Sequence, residues 1–470
     1  MTAGTRYTQA GGWYRHRMAP VLAPHLQHIL PLGWAACDPG PEHIAAAVGN
    51  PAQAAEVLDF NKVTLRAREV LGNTESPDAV DLRRRLDALT KWKRARAKSL
   101  SAVWALIQDA ASGPGLTVAV MKGAAARAWY PRPAERNVND LDIWVPDDSS
   151  AWILADSLQA AGWRYNNGEL PWVKATADGT AYGVINLLAP ARDVPQVDLH
   201  YGAYSVRHCA YLCVGTGRAL VPTADGWVCH EDADVLAAIL ANAAGDAFVT
   251  VKDINDAVLC ACRAQVEWQR VRHLLDVAGL REFAASVALA AAVVYGDVTQ
   301  PVPAVEVLRS ELGGRRPERV PVAIPVGRWH RASITTRHSW RIGARSGWWA
   351  GAHRLVTAMA YYTARLAVRV VRGPGSPISW TAQPRPWRCL RLVPLHLAAG
   401  LLRGGADAQG ELRPPVSAPG EFRREMIAGV SVVQVCRETF VPTVYGRLSA
   451  GKVTRLVREV TVNGEPPPPG

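Results

Sequence analysis

The spacing of apolar residues divides the chain into segments of different period. Leu100, Val103, Trp104 and Ile107 recur at i, i+3, i+4 and i+7, one face of an amphipathic helix that stops at the "SGPG" of Ser112 to Gly115. The stretches before it, "PEHIAAAVGNPAQAAEVLDFNKVTLRAREVL" and "DAVDLRRRLDALTKWKRARAKSLSAVWALIQDA", predict helices joined by loops, so residues 1–112 read as a helical N-terminal region. The pattern then changes. "LTVAVM" (Leu116 to Met121) is short, rich in β-branched residues and bounded by glycines, which predicts a buried strand, and "GAAARAWY" predicts a short helix ended by "PRP". "LDIWV" (Leu141 to Val145) leads into Pro146, and a helix starts at "DDSS" with Ala151, Leu154, Ala155, Leu158 and Ala161 on one face. "GVINLL" and "VPQVDLHY" predict two further strands. This order of strands and helices makes residues 113–205 an α/β (α+β) core with a small mixed sheet.

From "HEDADVLAAILANAAG" to Tyr295 the period is helical again, giving a helical domain over 206–300 that closes at a "DVTQPVPAVEV" linker. After Pro301 the chain turns rich in proline, arginine and tryptophan. Here "HRLVTAMAYYTARLAVRVV" and "LRLVPLHLAAGLLRGG" predict amphipathic helices, "GVSVVQVC" a strand, and "GEPPPPG" a disordered end. A length of 470 residues suits two to four domains, and 49% hydrophobic with 20% charged residues suits a soluble globular class.

Charge sharpens the division at residue 301. The net charge of +12 is made of +15 in residues 301–470 and −3 in the rest, and between Gly313 and Arg403 there are sixteen arginines and one acid, Glu318. Such a region attracts an acidic partner: nucleic acid, anionic lipid or an acidic peptide. The tryptophans interleaved there, Trp340, Trp348 and Trp349 among them, suit stacking or anchoring. The eight cysteines form no paired C-x-x-C knuckles, and the first twenty residues lack an apolar h-region, so reduced thiols and a cytoplasmic location are expected. The most apolar stretch, from Gly347, is interrupted by His353, Arg354, Arg365 and Arg369, so no transmembrane segment is expected. His208, Cys209, Cys213, Cys229 and His230 match no standard zinc spacing.

The chemistry concentrates between residues 121 and 200. With a period of two, Asp140 and Asp142 project to one face of their strand while Leu141, Ile143 and Val145 pack on the other. Paired carboxylates call for a cation, and oxygen ligands suit Mg²⁺ or Mn²⁺ held jointly with substrate phosphates. Lys122-Gly123 lies where a strand turns into a helix, a place that favours a phosphate, and lysine is scarce here, with eight among 53 basic residues. Arg136, four residues before Asp140, is placed either to neutralise phosphate oxygens or to buttress the carboxylates. "QVDLHY" adds Asp198 as a third carboxylate, with His200 on the same face as a ligand orienter, a proton carrier or a satisfied core histidine. Lys252 either reaches towards a triphosphate or makes a surface ion pair with Asp256 at i+4.

The order "VAVMKGAAARAWYP … ERNVNDLDIWV … GW … VDLHY", followed by "FVTVKDINDAVLCA … VEWQRV", resembles a nucleotidyltransferase-like family of the DNA polymerase β superfamily over roughly residues 95 to 290. The resemblance implies metal binding by Asp140, Asp142 and Asp198, a phosphate-side turn at Lys122 and Gly123, and NTP as substrate. It further implies an acceptor that is a peptide, small molecule or protein, since relatives often accompany natural-product gene clusters. Two positions depart from better-known members: Ala124 replaces the serine that follows the glycine, and Asn139 stands where Ser or Thr often precedes the first Asp. The alternatives are a non-catalytic accessory protein binding a nucleotide or peptide, and a nucleic-acid-modifying enzyme that grips through its basic third.

Overall fold

The computed structural model of the protein describes residues 50–72, 74–166, 170–176, 178–206, 210–215, 218–223, 226–263, 265–295, 302–318, 320, 322, 328–370, 390–395, 422–427, 429–435, 438–444, 453–456 and 458. The "GEPPPPG" tail, His208, Cys209 and residues 1–49 of the helical N-terminal region lie outside the described residues.

Among the described residues three helices come first: α1 (Pro51–Phe60), α2 (Thr64–Leu71) and α3 (Pro77–Ser112). Asn50 and Ser76 cap α1 and α3, each side chain accepting the N–H three residues on, with proline at the first helical position where its missing N–H costs nothing. Leu100, Val103, Trp104 and Ile107 of α3 are buried as their spacing predicts.

A large sheet follows. Its strands in chain order are β1 (Ala119–Val120), β2 (Asp140–Val145), β3 (Arg164–Tyr165), β4 (Trp172–Ala175), β5 (Ala181–Leu188), β6 (Gln196–Tyr201), β9 (Val221–Pro222), β10 (Val228–Cys229), β11 (Leu390–Pro394), β12 (Phe422–Ile427), β13 (Val430–Val435) and β14 (Glu438–Val444). In space they run β12-β13-β14-β11-β4-β5-β6-β2-β1-β10-β9, with β3 paired to β5. The pairs β2–β6 and β1–β10 are parallel and the others antiparallel. A separate hairpin joins β7 (Tyr204–Val206) to β8 (Ala210–Leu212).

The expectation of a small sheet is thus corrected to one of twelve strands among the described residues. Strands from the basic third add to the free edge of β4, and two-residue strands too short to show a period extend the other edge. "LRLVPLHLAAGLLRGG" is corrected too: Leu390–Pro394 is strand β11, and residues 396–405 lie outside the described residues. A stretch as short as "LRLVP" cannot tell the two periods apart, and pairing with β4 and β14 decides.

After the short α4 (Lys122–Ala126), the helix at "DDSS" is α5 (Asp148–Ala160), capped by Asp147, and it packs on β2, β5 and β6 and reaches β12 and β13. Trp152 of α5, Tyr165 of β3 and Phe440 of β14 meet there, Trp152 and Phe440 with ring centroids 4.4 Å apart. Beyond the sheet come α6 (Asp232–Asp246), α7 (Val251–Ala261), α8 (Trp268–Val277) and α9 (Arg281–Tyr295), all expected from the sequence. Within the expected linker, Pro303 begins α10 (Pro303–Leu312), whose Ala304, Val305, Leu308 and Leu312 are buried; this proline marks a helix start rather than a loop, and residues 297–301 lie outside the described residues. Helices α11 (Arg328–Ala344) and α12 (Trp348–Val370) follow. Among the described residues, no helix is long and apolar enough to cross a membrane.

Candidate active site

β2 and β6 run in parallel with Asp142 opposite Asp198 and Trp144 opposite His200. Side chains alternate, so Asp142, Asp198 and His200 share one face. On the other face Leu141, Ile143, Val145, Val197 and Leu199 are fully buried, which pins the register: a slip of one residue would turn the acids into this aliphatic layer and the aliphatic row onto the acidic face. Arg96 of α3 donates from Nη1 to the Asn139 carbonyl at 2.9 Å and steadies the chain as it enters β2. Asp140 is exposed at the mouth of this face and Asp142 is buried within it.

One ligand atom each from Asp142, Asp198 and His200 lies within 4.8 Å of the others. His200 Nε2 is 3.0 Å from Asp142 Oδ1, and the Lys122 ammonium pairs with the same oxygen. Burial alone would raise the pKa of Asp142; Lys122 and the hydrogen bond of His200 overcome it and bring the value down to about 2. Burial, then the neighbouring Lys122, lowers the pKa of His200 against the pull of Asp142, so the ring is neutral at pH 7. Its Nε2–H then donates to Asp142 and Nδ1 keeps a lone pair. The two carboxylates offer oxygen donors of the kind that suit a hard divalent cation such as Mg²⁺ or Mn²⁺, whereas an imidazole ligand suits softer metals, so His200 fits this set as the hydrogen-bond partner that orients Asp142.

Lys122 opens the short helix α4 with φ +44°, a conformation that L-residues with a side chain rarely adopt. Burial works against its charge, but Asp142, Tyr204 and Asp140 outweigh it and the amine stays protonated, 5.3 Å from the centre of the Tyr204 ring. Burial likewise pushes the Tyr204 phenol up to about 12, so it remains a neutral wall.

Gly123 has a structural reason. A Cβ there would lie 2.5 Å from Arg136 Nη1, so glycine is needed for the guanidinium to pass beneath the turn. Arg136 is committed to the interior: Nε and Nη2 fork onto Asp256 of α7 at 3.1 and 2.8 Å, and Nη1 donates to the Asn137 carbonyl at 2.6 Å. Tyr130 donates to Asp256 Oδ1 at 2.8 Å. The expectation that Arg136 neutralises phosphates or buttresses the acidic pair is corrected accordingly, because its planar fork is matched to a buried carboxylate one helix away. Lys252 stands with it: buried rather than on the surface, its Nζ is 3.0 Å from Asp253 Oδ1 and 3.9 Å from Asp256 Oδ2.

Sequence reasoning passed over Lys62. It follows α1 with φ +58°, and its neighbour Asn61 accepts the Val251 N–H at Oδ1 (3.0 Å) and the Lys252 N–H at its carbonyl (3.3 Å). Lys62 is thereby set beside Lys252. Repulsion from Lys252, then burial, lowers its pKa, with Asp253, Asp246 and Asp140 pulling the other way. The signal that could have found it was the scarcity of lysine. Of the cysteine and histidine group, Cys213 is exposed, Cys229 and His230 are buried, and His230 has neither ring nitrogen hydrogen-bonded.

The profile of a family described as "Uncharacterised nucleotidyltransferase" matches residues 50–296. The chain belongs to this nucleotidyltransferase family. The match begins at the cap of α1 and ends with α9, so it takes in Lys62 and the N-terminal helices as well as the region from 95 onwards that carries the sequence motifs. No curated protein and no solved structure matches the chain.

Proposed function

We propose that this nucleotidyltransferase-family protein is an active, divalent-cation-dependent enzyme. It transfers a nucleoside monophosphate from an NTP to a hydroxyl or phosphate of a peptide, small molecule or protein acceptor, with release of pyrophosphate. The observation that carries the reading is the convergence of Asp142, Asp198 and His200 on one sheet face within 4.8 Å, with a lysine ammonium on Asp142.

Asp142 and Asp198, with Asp140 at the exposed end of the pair, would hold Mg²⁺ or Mn²⁺. Bound there, the cation supplies Lewis-acid neutralisation of phosphate charge. The protein's own groups do the rest. Asp198 accepts the proton of the attacking hydroxyl, and His200 fixes the orientation of Asp142 through the 3.0 Å contact. Lys122 holds positive charge beside the leaving phosphates, aided by the backbone of the Lys122-Gly123 turn, while Lys252 supports the site from the buried network behind it.

A second reading, a non-catalytic nucleotide-binding accessory protein, is favoured by the ammonium of Lys122 already lying on Asp142 and by Ala124, which has no hydroxyl. One experiment separates them. Protein incubated with α-labelled NTPs, Mg²⁺ or Mn²⁺ and candidate acceptors is expected to release pyrophosphate, and Asp142→Asn and Asp198→Asn are each expected to lower the rate about 10²-fold or more. NTP binding by calorimetry with no pyrophosphate release from any acceptor would establish the accessory reading instead.

A further inference from the structure

Helices α11 and α12 lie beyond the matched family domain, and residues 328–370 hold eight arginines and neither Asp nor Glu. The pair is fastened on one side. Arg341 Nη2 is 2.9 Å from Glu318 Oε1, and Arg345 Nη1 donates to the Asp276 carbonyl. Gly279, with φ +68°, lets Ile342 come so close that a Cβ would sit 2.7 Å from its Cγ1. α12 rides on α11 through small residues: a Cβ on Gly343 would meet the Ala350 carbonyl at 2.5 Å, and one on Gly351 would meet Ala344 N at 3.1 Å.

The outer side of α12 is a different surface. Trp348, Trp349, Val356 and Met359 are 62%, 80%, 64% and 55% exposed, and Ala358 and Gly351 are buried. At 100° per residue the four large side chains fall within an arc of about 100°. A face of this kind on an acid-free hairpin matches a surface that is apolar below and anionic above.

We infer that the α11–α12 hairpin docks the protein on an anionic lipid surface, with α12 in the interface plane and its Trp348, Trp349, Val356 and Met359 face inserted among the acyl chains. Charge complementarity selects this occupant. A second copy would bring one arginine-rich hairpin against another, and a nucleic acid would stack on the tryptophans yet leave Val356 and Met359 in water.

Flotation of the full-length protein with vesicles tests it. Binding is expected to vesicles of phosphatidylcholine mixed with phosphatidylglycerol, to weaken with salt, and to be absent with phosphatidylcholine alone. The double variant Trp348→Ser/Trp349→Ser, and independently Val356→Glu/Met359→Glu, should each weaken flotation about tenfold or more while the melting temperature stays within a few degrees of the parent, all four positions being exposed. No flotation, equal flotation with uncharged vesicles, or flotation unchanged in both variants overturns the inference. So does a shift from dimer to monomer, or loss of oligonucleotide binding, as the only effect of the two variants.

Discussion

Arg136 and Asp256 are a buried pair, and each is the other's main compensation for leaving solvent. Arg136→Met would leave the Asp256 carboxylate with only Tyr130 and the more distant Lys252, and a loss of about 3–5 kcal/mol is expected, read as a drop in denaturation midpoint. At a temperature where the variant is still folded, its KM for NTP should match the parent. A raised KM with unchanged stability would return Arg136 to the phosphates. The sequence suggested that role because four residues separate Arg136 from Asp140, and separation along a chain does not say which way a side chain turns. Asp142 and Asp198 were legible because a period of two leaves one choice of face. His200 carried three readings, of which the contact with Asp142 supports the orienting one.

His230 makes a second residue-scale case. It lies edge-on to Trp144, ring centroids 4.8 Å apart, with neither nitrogen hydrogen-bonded, and burial pushes its pKa down to about 4 against Asp234, with Arg270 adding to the fall. The folded value lies below that of a free imidazole, so the unfolded chain takes up the proton first. Stability from the neutral ring is therefore complete above about pH 6.5 and is lost as pH falls from there to about 4, at roughly 1.4 kcal/mol per unit where the two states differ by a full proton. Melting curves between pH 7.5 and 4.5 should show this acid limb, and His230→Leu should flatten it. An identical limb in the variant would trace acid sensitivity to other groups.

Among elements, the C-terminal strands are the test. Phe440 of β14 is fully buried against Trp152 and Tyr165. Phe440→Ala should cost about 3–5 kcal/mol. If β11–β14 fold as one unit with the family domain, the single melting transition moves down as a whole; a new early transition with the main one in place would mean that these strands melt alone. The helices with full turns of apolar spacing, α3, α5 and α6 among them, were legible in the sequence because each repeats its pattern over several turns. Of the two-residue strands, β1 was legible within the buried run "LTVAVM", whereas β3, β9 and β10 were not, because pairing rather than pattern defines them.

For the whole molecule, the charge division at residue 301 was plain in composition, but its geometry was not. The Arg391 side chain donates to the Leu170 carbonyl 221 positions away, and β11 completes the edge of β4. Local periodicity carries no information about pairing at that range. The exposed face of α12 was similarly hidden, since an amphipathic pattern tells that a helix has two sides without telling which is covered.

The turn at Asn61 has a bearing on how the protein can be dissected. Its carboxamide and carbonyl hold the first two N–H groups of α7; α7 carries Asp256, Asp256 anchors Arg136, and Arg136 fills the space beneath Gly123, next to the lysine that touches Asp142. A fragment trimmed to the motif-bearing region, starting near residue 113, would begin with this relay already severed at its far end. The shortest piece able to report on the chemistry therefore starts at the cap of α1, sixty residues or so upstream of where the motifs begin, and a negative result from anything shorter would speak only of the cut.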